Sequence, residues 1–156
     1  MDKLTLKNYF FYASGLSPTL QSFFNSMMLH GKECRERARF LEMIEGRVLE
    51  VENERFRIGE SNCKRNKKGE MVYADKDGKE TTDKSLSRSF IIEDLEAFNK
   101  EFSDYMSEDF VIDITPANKE TIMTVKNLLL NSSKDLTGAE SKAYTEWCDA
   151  FEASKK

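Results

Sequence analysis

The chain has 156 residues, 33% of them charged, a formal net charge of −4 and a pI near 5.2. That length suits one domain with its own core and is short for two. The acidic balance argues against a strongly DNA-binding protein, for which a basic pI is usual.

No apolar run approaches the roughly 20 residues that span a bilayer. The charged start followed by apolar residues has the outline of a signal peptide. Lys7 and Asn8 interrupt it, however, and the run from Tyr9 to Ala13 is too short for an h-region. The expectation is a cytoplasmic protein with no membrane partner. Cys34, Cys63 and Cys148 form no CxxC pair, and with His30 as the only histidine they read as structural thiols with no metal site.

Residues 3–13, KLTLKNYFFYA, alternate and are rich in aromatic residues, which predicts a strand or strand pair. Ser17 before Pro18 is a helix start, the hydroxyl capping free amides and proline preset for the first helical position. Leu20, Phe23, Phe24, Met27 and Met28 continue that helix over 18–29, with an end near Gly31. Next comes the most patterned stretch. Leu41, Ile44, Val48, Val51 and Ile58 form a heptad seam with Arg37 and Arg55 in register, predicting a long helix over about 32–64. Phe40, Leu49 and Phe56 widen the stripe, which suits a helix packed on a domain better than a free dimer. Gly46 and Gly59 cost about 1 kcal/mol each in a helix and mark kinks or close packing.

Residues 64–89 are polar and turn-rich. KKGE and KDGK flank the short apolar MVYA, so the segment reads as a small hairpin or a mobile loop. Ile92, Leu95, Phe98, Phe102 and Tyr105 make a second helical stripe, and DFVIDI at 109–114 alternates as a strand. TPANKETIMTVKNLLL reads as a helix starting near Pro116. LTGAESKAYTEWCDAFE reads as another, with Thr137 and Glu140 placed for a capping box. The fold expected is α+β and mostly α-helical. A long helix pairs antiparallel with the 91–107 helix, supported by C-terminal helices up to about 153 and a small β element, in a single domain over 1–156.

Charge divides unevenly, with +4 up to Gly69 and −8 after it, as suits halves that fold against each other or a binding face. The arginines of RERAR diverge around the helix. Arg37, in register with the seam, is expected to pair with Glu93, Asp94, Glu96 or Glu101. Lys32, Arg35 and Arg39 are then left as a partner-binding set able to grip carboxylates or phosphates. KRNKK at 64–68 is a second basic cluster. His30 lacks an acid–base partner in sequence, and DKDGKE lacks the ligands and distal glutamate of a calcium loop. Trp147 and Phe151 read as core. No catalytic residue, cofactor or metal ligand is expected, so the chain is not read as an enzyme.

LTLKN (Leu4–Asn8), GKxxRxRxxF (Gly31, Lys32, Arg35, Arg37, Phe40) and LTGxE…CxAFE (Leu136–Glu140, Cys148–Glu152) together resemble a group of small uncharacterised proteins of tailed phages of Gram-positive bacteria. That resemblance implies a phage setting, with action in the host cytoplasm. The expected role is that of a protein-binding modulator of a host or phage protein, such as an inhibitor of host or defence machinery, acting as a monomer or homodimer. A nucleic-acid-binding accessory protein and a virion-assembly chaperone or minor structural protein are the alternatives.

Overall fold

The computed structural model describes residues 2–12 and 22–154. The expected helix start at Ser17–Pro18, Leu20 and the end of the first aromatic stretch at Ala13 lie outside the described residues. The architecture is α+β and mostly helical. Its elements are β1 (Lys3–Lys7), a 3-10 helix (Asn8–Phe11), α1 (Lys32–Asn62), β2 (Tyr73–Ala74), β3 (Glu80–Thr81), β4 (Ser89–Phe90), α2 (Leu95–Met106), β5 (Asp109–Asp113), α3 (Lys119–Leu130) and α4 (Gly138–Ala153). The chain divides into two compact units, Met1–Val51 with Ser107–Lys156, and Glu52–Met106. α1 gives its residues up to Val51 to the first and the rest to the second. Among the described residues, no helix is long and apolar enough to cross a membrane.

In the first unit β1 and β5 pair antiparallel, with Leu4 opposite Ile112 and Leu6 opposite Phe110. The period-2 alternation of LTLK turns Leu4 and Leu6 to the interior and leaves Lys3 and Thr5 exposed. The 3-10 turn then carries Phe10 and Phe11 inward against Trp147, with ring centroids 5.1 and 6.3 Å away. Trp147 and Phe151 are fully buried and pack on Phe40 of α1. The core reading of both residues is therefore correct. α4 starts as its sequence specifies: Thr137 accepts from the Glu140 amide while Glu140 bonds back to the Thr137 amide.

The seam of α1 is rotated from its expected line. Phe40, Ile44, Val51 and Ile58 are buried, Leu41 and Val48 are half-buried, and Leu49 and Phe56 are exposed at 63% and 51%. In the first unit the cover over Phe40 is α4, since Trp147 and Phe151 supply the aromatic surface it needs.

In the second unit, of the two forms expected for 64–89, the segment takes the hairpin one. Its strands form a sheet in the order β3-β2-β4, extended by bridges between Cys63 and Ile92 and between Arg65 and Met71. Val72 and Tyr73 are buried beneath it. Two turns of one design hold the hairpins. Asn66 Oδ1 accepts from the amides of Lys68 and Glu70 at 2.9 and 3.0 Å, and Asp75 Oδ1 from those of Asp77 and Lys79 at 2.8 and 2.9 Å. Gly69 and Gly78 follow at φ 82° and 77°, conformations that side chains rarely adopt. Hydrogen bonds tie α2 and the segment leading into it to the end of α1. The Glu93 amide bonds Asn62 O, and Glu101 accepts from both Asn62 and Arg57. These bonds reach only Arg57 and Asn62 in the last turns of α1, and α2 has 12 residues against 31.

Candidate functional site

The expected partner-binding set on α1 is largely engaged within the chain. Lys32 forms an ion pair with Glu120. Arg39 Nη1 donates to Glu36 Oε1 at 2.7 Å. Glu36 is 2% exposed and also accepts from the Thr121 hydroxyl. That hydrogen bond holds the Glu36 carboxyl below its ordinary range. Burial opposes the shift, while Arg39 and the charge of Arg35 support it. Of the three residues only Arg35 makes no hydrogen bond or ion pair among the described residues. Arg37 does not pair with α2 as expected. Its Nη1 donates to the carbonyls of Phe24 and Met27 at 2.6 and 2.9 Å, joining the Met27 amide on the Phe24 carbonyl and serving as the donor to Met27 O. Glu101, one of the four expected partners, is taken by Arg57.

The basic cluster at 64–68 is partnered in part, since Lys67 and Lys68 make no side-chain hydrogen bond or ion pair among the described residues. Lys64 pairs with Glu80, and Arg65 donates to Gly69 O at 2.9 Å.

A different cationic surface lies within the Glu52–Met106 unit, in a cleft of about 340 Å³. α1 lines it with Arg55, Phe56 and Glu60, the sheet with Tyr73, Ser89 and Phe90, and the connection before β4 with Lys84, Ser87 and Arg88. The floor is aromatic. Phe90 lies 5.8 Å from Phe56 and 5.7 Å from Tyr73, ring to ring. It reaches this position because residue 59 is glycine. A Cβ there would stand 2.6 Å from Phe90 Cδ2.

The rim is built on a fixed connection. Asp83 Oδ1 accepts from the Ser85 amide and hydroxyl at 2.9 and 2.7 Å, and the Arg88 amide donates to Ala74 O at 2.8 Å. Bonding to Ser85 also lowers the Asp83 pKa. Arg55 is held by Glu52 at 3.1 Å, and its guanidinium sits 5.0 Å from the centre of the Phe56 ring. Lys84 and Arg88 are exposed, and neither side chain has a hydrogen bond or ion pair among the described residues. Glu60 is the one carboxylate of the lining.

This arrangement can attract an anion and cover an apolar group, but it holds no histidine or cysteine to act as base or nucleophile. Elsewhere, burial pushes the Cys148 thiol up, away from reactivity. Tyr144 is pushed up to about 12, first by burial. Among the described residues no group of three His, Cys, Asp or Glu side chains is placed to hold a metal ion. Sequence reasoning missed the cleft because its cations are scattered over 55–88 between acidic residues. The available signals were Phe56, standing off the seam, and Gly59 beside it. Comparison with family models, curated proteins and solved structures finds no match.

Proposed function

We propose that this chain is a phage-encoded, non-enzymatic binding protein that acts in the host cytoplasm by occupying a surface of a host or phage protein. The observation that carries the reading is the pair of unpartnered cations, Lys84 and Arg88, on the rim of an aromatic-floored cleft. Leaving two charges unpaired beside exposed apolar surface gives the free molecule nothing, whereas an acidic partner would pair the charges and cover Phe56. The phage setting rests on the resemblance of LTLKN, GKxxRxRxxF and LTGxE…CxAFE. The binding surface differs from the set first expected, since Lys32 and Arg39 already have intramolecular partners.

The test is affinity capture from infected host cells with the tagged chain and two variants. Lys84→Glu/Arg88→Glu should lose the captured protein, and Arg35→Ala should keep it. Equal capture by all three removes the cleft from the function. Strong retention on heparin with steep salt dependence would instead favour the nucleic-acid reading, and presence in purified virions a structural one.

A further inference from the structure

We infer that the cleft of the Glu52–Met106 unit takes a short acidic peptide segment, one apolar side chain resting on Phe56 and Phe90 and flanking carboxylates reaching Lys84 and Arg88. This rests on the protein-binding reading above and names the chemistry of the partner.

Four observations favour that occupant. The volume, about 340 Å³, lies at the low end of ligand cavities and admits a side chain with its flanking backbone but not a helix. Phe56 is 51% exposed, so an apolar residue placed on it removes surface from water at both sides of the contact. The connection carrying Lys84 and Arg88 is anchored at Asp83 and at Ala74, so its backbone is already ordered before a ligand arrives. Glu60 repels a carboxylate at its own end and so gives the segment a direction.

A nucleic-acid strand fits less well. Base stacking requires open ring faces. Here the Arg55 guanidinium covers one face of Phe56 and Tyr73 is 5% exposed, so the cleft has room for one apolar group on Phe56 but no run of open rings for successive bases. The unit also carries 13 Asp/Glu against 11 Lys/Arg, so a polyanion running past the cleft would meet net repulsion. A segment with only local carboxylates would not.

The experiment is fluorescence anisotropy on the full chain with a labelled ten-residue peptide holding Leu and Phe between Glu and Asp residues. A copy with Gln and Asn in place of the acids, and a labelled ten-nucleotide oligo-dT, serve as comparisons. The acidic peptide should bind at least about tenfold more tightly than the neutral copy and weaken as salt rises. Lys84→Ala/Arg88→Ala should reduce its affinity by roughly tenfold or more, Phe56→Ala should reduce it as well, and Arg35→Ala should not. Far-UV circular dichroism confirms that the variants are folded. Equal binding of the neutral copy, or indifference to Lys84→Ala/Arg88→Ala, overturns the inference. Tighter binding of oligo-dT replaces it with single-strand recognition. If the peptide fails while capture from infected cells still depends on Lys84 and Arg88, the acidic-peptide chemistry is wrong and the binding reading stands. If both are indifferent, both fall.

Discussion

Gly59 and Gly46 lie on one helix, and the same substitution at each should act with opposite sign. A Cβ at Gly59 would stand 2.6 and 2.7 Å from Phe90 Cδ2 and Cε2 and 3.4 Å from Cγ, whereas at Gly46 it would meet nothing within 4 Å. Carbon atoms rest about 3.5–4.0 Å apart, so the Phe90 ring must withdraw by about 1 Å. It has neighbours on the way, Phe56 at 5.8 Å and Tyr73 at 5.7 Å. Overpacking of this kind costs about 1–3 kcal/mol. Alanine recovers about 1 kcal/mol of helix propensity at either position. Gly46→Ala should therefore gain up to about 1 kcal/mol, and Gly59→Ala should lose up to about 2. Because the propensity gain cancels between the two, their difference isolates the ring contact. Urea denaturation followed by far-UV circular dichroism measures it. Hydrogen exchange at 72–74 and 89–90 guards against the two units unfolding separately. Adding Phe90→Leu to Gly59→Ala should recover part of the loss. If Gly59→Ala stabilises as much as Gly46→Ala does, the close seating of Phe90 on α1 is wrong.

Phe40→Ala should destabilise by about 3–5 kcal/mol and shift the Trp147 emission, because Phe40 is fully buried against Trp147 and Phe151. A shift without loss of stability would contradict that packing. Arg37→Ala should cost about 1–3 kcal/mol by leaving the half-buried Met27 carbonyl without its donor, whereas Arg35→Ala should leave the denaturation midpoint within error. The folded pKa of Glu36 lies below its unfolded value, so its contribution to stability is complete at neutral pH and is lost as pH falls through the folded value. Thr121→Val removes the main cause of that depression. The variant should be less stable than the parent at pH 7, with the gap closing in acid, and a gap independent of pH would assign Thr121 a packing role alone.

The legible parts of the fold were those governed by local rules. Thr137 and Glu140 announced the start of α4 because a capping box needs only four consecutive residues. LTLK and DFVID announced strands because alternation is a property of the strand itself. The apolar stripe of α1 likewise gave its helix, but not what covers each part of it. That answer depends on the distant residues Trp147 and Phe151 in one unit, and on the short α2 in the other. The segment 64–89 left hairpin and mobile loop both open because its composition is polar. Its order comes from Asn66 and Asp75 folding their side chains onto their own turns, and from Val72 and Tyr73 supplying a small buried face. A few well-placed apolar residues sufficed where average hydropathy suggested none.

The charged residues teach the complementary lesson. RERAR is conspicuous because it sets an arginine at every second position, yet alternate residues on a helix diverge. Each then meets whatever lies on its own side: Arg37 the carbonyls of Phe24 and Met27, Arg39 the buried Glu36. Lys84 and Arg88 are inconspicuous, interleaved with Ser85, Leu86 and Ser87 and close to acidic residues. The Asp83 turn and the Arg88 amide bond to β2 bring them to the rim of one cleft while the nearby acids are used elsewhere. Asp83 holds the turn, and Glu80 pairs with Lys64. What distinguishes Lys84 and Arg88 is the absence of an internal partner together with a place on one aromatic cleft, and both are properties of the folded chain. A basic cluster in a sequence this acidic is first a candidate for internal pairing. Arg35, Lys67 and Lys68 also stay without a side-chain partner among the described residues, but none of them lines that cleft.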